Sequence, residues 1–449
     1  MKQVRLIAKP VVIIILAFVL LIPIGMIQDT VIERLDRHSE VMADIGKSLT
    51  GQQRVAGPLL YVPYQERIET WDYDHDKNKK LVISYKDSAR IVVPEDLQIT
   101  ATIHPQERYR GIFKAITYQS EITLKGHFKV KEMFGLSAPK EKVHIYPASI
   151  VMGLRDIARL TNQPKLVWQN HEYPLTGGTQ HNFVFESVQA QIGSLAQTTN
   201  TYDFTIQLQL QGMTKIEIAP LGKNTTIEMA STWPHPKFIG SYLPEQRDIT
   251  AQGFRASWKT LDVANVIEST FQECFVNSAS CHDYQGNTLG VELVEPINIY
   301  LQTERALKYA LLFIGLTFVL FYLFELFKRL AIHPIQYGLV GMALAIFYLL
   351  LLSLSEHVSF LASYMIASAS CILLLGFYSS YVLKSIRKSF GFMALLTLLY
   401  GVLYVLLQLE DYALLAGAGL LFLILTTIMF ITRKINWYGL NESFESQIF

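Results

Sequence analysis

The chain lacks the short motifs that mark common chemistries. It contains no G-x-S-x-G, H-E-x-x-H or Walker A pattern, and no G-x-G-x-x-G at a strand–helix junction. A nucleophile elbow, a zinc-binding helix, a phosphate loop and a dinucleotide fold are therefore all without support. Charge is scarce at 17% of residues, and the formal net charge of +1 gives no general pull toward nucleic acid or acidic partners. An arginine-rich tail is missing as well. Cysteine is limited to three residues, Cys274, Cys281 and Cys371. Cys281-His282-Asp283 has no second ligand pair at zinc-like spacing, so neither a metal nor a cofactor is expected.

What the chain has instead is apolar runs, unevenly placed. One covers residues 11–27, and five more follow Arg305, at 309–327, 335–354, 360–383, 391–407 and 412–431. Each is close to the ~20 residues that cross a bilayer core as a helix. Lys2, Arg5 and Lys9 precede the first run, and Pro23-Ile24-Gly25-Met26-Ile27-Gln28 after it offers no small-residue cleavage site. The first run therefore reads as an uncleaved signal anchor. Lys328 and Arg329, then Lys384, Arg387 and Lys388, then Arg433 and Lys434 follow alternate spans. The opposite connections, Ser355-Glu356-His357 and Gln408-Leu409-Glu410-Asp411, carry no Lys or Arg. The positive-inside rule then predicts cytoplasmic termini in a bacterial inner membrane. It assigns 1–27 as the anchor, 28–304 as a periplasmic domain, 305–433 as a five-helix bundle and 434–449 as a cytoplasmic tail.

The long insert is patterned for strands. Leu59-Leu60-Tyr61-Val62, Leu81-Val82-Ile83-Ser84-Tyr85, Arg90-Ile91-Val92-Val93 and residues 98–103 are short and β-rich. Residues 201–212 alternate cleanly, with Phe204, Ile206, Leu208 and Leu210 against Thr205, Gln207, Gln209 and Gln211. Residues 215–218 and 225–229 continue the pattern. A helix over 29–49 extends the first span, as a partner-binding stalk or, the favoured alternative, as a helix packed on its own domain. Short helices are expected over 148–160 and 261–271. The fold class is an α+β membrane protein whose large β-rich domain, antiparallel and in two sandwich-like lobes, is inserted between an N-terminal span and the C-terminal bundle. Asp72-Tyr73-Asp74-His75-Asp76 opens like a calcium loop, but Lys77 and Ile83 stand where glycine and glutamate are required. A polar hairpin tip explains it better.

Some residues remain as candidates. Cys274 and Cys281 form either a disulfide in an oxidising compartment or two unlinked thiols. Among the apolar runs, Glu325 reads as an ion or proton site or, more simply, as an interfacial ion pair with Lys328 and Arg329. Glu356 and His357 read as lining a site or as a solvated helix end. Ser355, Ser359, Ser363, Ala367 and Cys371 form a small-residue stripe suited to helix packing.

Several longer stretches resemble the CreD family of bacterial inner-membrane proteins. They are Ser231-Thr232-Trp233-Pro234-His235-Pro236-Lys237-Phe238-Ile239-Gly240, continuing through Arg247 to Trp258; Arg305-Ala306-Leu307-Lys308-Tyr309 through Glu325; and His333-Pro334-Ile335-Gln336-Tyr337 with Phe347 to His357. The resemblance spans essentially the whole chain. It implies a role in cell-envelope integrity and β-lactam response, and supplies no catalytic residues. The leading expectation is a non-enzymatic protein whose external domain binds a protein or lipid partner, with Trp233, His235 and Arg247 as candidate contact residues. The alternative is a transporter or lipid-handling protein using Glu325, Glu356 and His357. A homo-oligomer is the lesser alternative reading of the small-residue stripe, after packing within the bundle, and has no other support in the sequence.

Overall fold

Proline placement shapes the first helix. A computed structural model describes residues 3–48, 51–73, 79–178, 186–263, 266–276, 287–295, 299–328, 332–383, 385–409 and 413–433. Helix α1 spans Gln3–Val19 and α2 spans Leu21–Ser48. Pro23 cannot donate to Val19 and its ring presses on that carbonyl, which accounts for the break at Leu20. Bonds from Leu20 N to Leu16 O and from Ile24 N to Leu20 O carry the helix across it.

The chain divides into two units, Met1–Ser39 with Ile297–Phe449, and Glu40–Pro296. The first unit is helical. After α3 (Val266–Val276), which belongs to the second unit, come α4 (Ile299–Lys308), α5 (Ala310–Lys328), α6 (Pro334–Ser355), α7 (Phe360–Val382), α8 (Ile386–Gln408) and α9 (Ala413–Thr432). Among the described residues, Lys9–Lys47, α6, α7 and α8 are long and apolar enough to cross a membrane, and α4 with Ala310–Leu323, bent by 46°, makes a fifth. The apolar part of α9, Leu415–Thr427, is shorter. His333 caps α6 by accepting from Ile335 N, while Gln336 receives the His333 amide and Pro334 stands in the first turn. Most of the small-residue stripe is internal: Ser355, Ser363, Ala367 and Cys371 are buried while Ser359 is exposed, and Cys371 Sγ points at Ala343 O on α6 at 3.6 Å.

Among the described residues the second unit is a sandwich of a nine-stranded and an eight-stranded sheet. Its first four strands are β1 (Gln53–Tyr73), β2 (Lys79–Val92), β3 (Asp96–Arg110) and β4 (Phe113–Val130). Strand Asn200–Met213 buries Tyr202, Phe204, Ile206, Leu208 and Leu210, as its alternation predicts. The end of α2 packs on this unit through Ile45, Val41 and Met42 against Ala115 and Met213, in accord with the favoured reading of residues 29–49.

Four expectations are corrected. The two sheets share one continuous core, from Leu60 and Ile150 on one side to Ile99 and Leu208 on the other, so there is one sandwich and not two lobes. The pairing is mixed: β1 runs parallel to Lys215–Ala219, and β3 parallel to Asn224–Ser231. The long connections between these partners permit parallel crossovers. Ala148–Leu154 is a strand between β1 and Ser187–Gly193, not a helix; it is buried on both faces, so its apolar run has no period to read. Only Ile157–Arg159 turns helically there. The helix predicted at 261–271 is described over Val266–Val276, while Leu261 belongs to the end of a strand.

Candidate functional site

The two candidate carboxylates of the helical unit each meet a base from the N-terminal span. Glu325, 6% exposed, takes a charge-assisted bond from Lys9 Nζ on one oxygen; its other oxygen accepts from Tyr337 Oη at 2.8 Å. Ile332 N reaches the first oxygen at 3.4 Å. The expected partners were Lys328 and Arg329; the side chain of Lys328 and the whole of Arg329 lie outside the described residues, and the ion pair found is with Lys9. Glu356, the C-cap of α6, lies 3.3 Å from Arg34 Nε and accepts from Tyr300 Oη at 3.4 Å. His357 beside it is exposed, with its amide bonded to Leu354 O.

These two clusters do not converge. Glu325 lies near the start of α6 and Glu356 at its end, about 33 Å apart along a 22-residue helix. Lys9 and Arg34 show the same spacing, about 37 Å for their separation at 1.5 Å per residue. Both distances match a bilayer with its interfaces. Between them, aromatic side chains fill the bundle. Tyr364 Oη donates to Tyr400 O at 2.6 Å, and Phe347 stacks edge-on to Tyr400 at 4.8 Å.

The motif around Trp233 is a fastening. Trp233 Nε1 donates to Val294 O at 2.9 Å, its amide bonds Ser231 Oγ, and the ring packs on the sandwich core. Val294 N donates back to His235 O at 3.1 Å, and Pro236–Gly240 pairs with Leu289–Leu293. The His235 ring is exposed, 6.4 Å from Trp233 edge-on. Arg247 sits on the fully exposed strand Gln246–Thr250, opposite Ala256. No described contact joins Arg247 to Trp233 or His235. The backbone of Cys274 falls in α3, but its side chain and the whole of Cys281 lie outside the described residues.

The most distinctive surface is a two-stranded arm that the sequence suggested only as a hairpin. β1 and β2 pair without a break from Leu60↔Val92 to Tyr73↔Lys79, and the tip at 74–78 lies outside the described residues. Directly opposite residues share a face. The pairs Trp71↔Leu81, Glu69↔Ile83 and Arg67↔Tyr85 therefore align Trp71, Leu81, Ile83 and Tyr85 in one stripe. Their exposures are 68%, 40%, 44% and 64%, high for large apolar side chains grouped together. Opposite Ile83, midway along the stripe, Glu69 meets Arg67 at 3.0 Å and Lys142 at 3.0 Å. The bond from Lys142 holds the Glu69 carboxyl below its ordinary value. Leu81 to Tyr85 was expected as a strand from the sequence, whereas Trp71 lay beyond the strand expected at 59–62; their alignment depends on the register.

Comparison with known proteins gives a consistent lineage. The family model described as "Inner membrane protein CreD" matches residues 5–438. Inner membrane protein CreD of Escherichia coli (strain K12) is 32% identical over 420 residues, covering 94% of this chain and 91% of that protein. Among solved structures, an M1 zinc metallopeptidase from Deinococcus radiodurans aligns at a TM-score of 0.19 and 6% identity, over 37% of this chain and 38% of the peptidase. A point mutant of that enzyme gives the same values. A likeness of that size transfers nothing.

Proposed function

The chain belongs to the CreD family of inner membrane proteins, and on that premise we propose that it is a non-enzymatic envelope protein acting by binding. Its β domain lies in the periplasm, both termini are cytoplasmic, and the protein supports envelope integrity under stress, including β-lactam stress. The arm docks an envelope protein or lipid. The observation that carries this reading is the stripe of Trp71, Leu81, Ile83 and Tyr85, held out from the sandwich on two strands. Aromatic side chains presented this way supply large contact area at low entropic cost.

Transport through the bundle has less support. Its candidate carboxylates stand at opposite ends of α6, and each is occupied by a base from the anchor helix. They read better as clamps than as one pathway.

The test is complementation of a deletion strain under β-lactam and detergent stress. Trp71→Ala with Tyr85→Ala is expected to lose protection at normal membrane abundance, and Glu325→Gln to retain it. Full protection by the arm variant would overturn the docking role, and loss of protection by a stable Glu325→Gln would favour transport.

A further inference from the structure

The outer edge of the arm has a polarity that can be read from its base. There α3 covers the edge of β2: Ile91 N donates to Gln272 Oε1 at 3.2 Å, and Gln272 Nε2 donates to Ala89 O at 2.6 Å. The amide of Ile91 and the carbonyl of Ala89 therefore point away from β1. In a regular antiparallel strand this direction repeats at every second residue. The β1–β2 register has no shift along its length, so the backbone groups of Lys79, Leu81, Ile83, Tyr85 and Asp87 also point outward. Among the described residues, β2 pairs with no strand except β1, and residues 79–87 are exposed.

We propose that this edge pairs with the same edge of a second copy of the chain, about a two-fold axis through Ile83. The match places Ile83 opposite Ile83, Leu81 opposite Tyr85 and Lys79 opposite Asp87, the last two occurring twice by symmetry. Every one of these residues presents its backbone outward, so each pair exchanges ladder hydrogen bonds. Their side chains share the face of the apolar stripe, with an ion pair at each end.

Charge selects this axis over its neighbours. Centred on Ser84, Leu81 would face Asp87; centred on Val82, Lys79 would face Tyr85. On the opposite face Lys80 meets Lys86 of the second copy, but each already faces an acid on its own β1, Asp72 and Glu66 respectively. Lysines on an edge strand usually discourage such pairing; here Asp87 stands where Lys79 of the other copy arrives. The edge of β1 is less available, since Val143–Ile145 pairs with residues 64–66 and Lys142 holds Glu69. The product is a four-stranded sheet in which Trp71 and Leu81 of one copy continue into Tyr85 of the other. This deepens the docking reading and rests on it, because the paired arms form one wider stripe.

Directly opposite residues place their Cβ atoms within about 4.5–5.5 Å, close enough for a disulfide with small backbone adjustment. Full-length Ile83→Cys in native membranes is expected to form disulfide dimers under mild oxidation. The yield should be several-fold above wild type and above Thr70→Cys, which lies one strand further from the axis. Lys79→Asp or Asp87→Lys in the Ile83→Cys chain should reduce the dimer, and the two together should restore it, because both ion pairs re-form reversed. Ile83→Cys yields no higher than Thr70→Cys, or no restoration by the double reversal, would overturn the pairing. Crosslinking reads pairing alone, whereas complementation by the Trp71 and Tyr85 variant reads the docking face, so either can fail without the other.

Discussion

Lys9 donates to the Glu325 carboxylate although the two residues are 316 positions apart in the chain. The carboxylate side chain is 8% exposed and the lysine 28%, and the glutamate's second oxygen is held by Tyr337. Removing one member of a buried pair leaves a charge without compensation, a loss of about 3–5 kcal/mol where burial is complete. Partial exposure of Lys9 places Lys9→Met at or below the lower end of that range. Lys9→Met should therefore lower the melting temperature of the detergent-solubilised protein. Adding Glu325→Gln should recover most of the loss, since no charge is then left alone. A double variant as unstable as the single one would show that the ion pair is not the source.

Arg34 and Glu356 make the matching contact at the other end of the span, but Arg34 is 44% exposed. A pair this open contributes about 0–1 kcal/mol, so Arg34→Ala should melt within a degree or two of wild type. The two ends should instead differ in access. A cysteine replacing exposed His357 is expected to react with a membrane-impermeant maleimide added outside spheroplasts. A cysteine replacing Lys9 should react only after permeabilisation. The reverse pattern would invert the proposed orientation.

Glu217 provides the clearest pH dependence in the β domain. Its side chain is 5% exposed and lies between Arg54 Nη2 at 3.2 Å and Lys215 Nζ at 3.1 Å, while Thr288 Oγ1 donates at 3.0 Å. Burial raises the carboxyl pKa, but the Lys215 hydrogen bond, the Arg54 charge and Thr288 together outweigh it, and the net shift is downward. A depressed folded pKa stabilises above the unfolded value of about 4.3 and is lost as pH falls through the folded one. Glu217→Gln should therefore destabilise at neutral pH, by on the order of 2–3 kcal/mol. It should also flatten the fall in melting temperature below about pH 4. An acid limb identical to wild type would assign the acid sensitivity elsewhere.

Much of this architecture was legible because local pattern and tertiary environment agree. Residues 201–212 alternate because one face meets the core, and the apolar run at 335–354 is uniform because it meets lipid or other helices. Legibility ended where the decisive partner is remote in sequence. Ala148–Leu154 lies between two strands and is apolar on both faces, so strand and helix look alike. The parallel pairing of β3 with Asn224–Ser231 joins residues more than a hundred apart, and no local pattern encodes it. Lys9 looked like a flank of an anchor until α5 brought Glu325 to it. On the arm only residues 59–62, 81–85 and 90–93 were legible as strands; the extension of β1 to Tyr73, and the stripe itself, depend on which residue faces which.

The motif at Trp233 separates a fastening from a binding site. Its indole N–H holds Val294 O, while the neighbouring His235 contributes its backbone carbonyl to Val294 N and leaves its ring exposed. If the motif fastens the end of the domain, the indole matters and the imidazole does not. Trp233→Phe should lose one hydrogen bond, to the half-buried Val294 carbonyl, about 1 kcal/mol, and Trp233→Ala should lose packing as well, for a total of about 3 kcal/mol. His235→Ala should fall within about 0.5 kcal/mol of wild type, as exposed substitutions do. Each should show the same order in melting temperature and in protection of a deletion strain. His235→Ala that melts normally yet fails to protect would instead make the imidazole a contact for a partner.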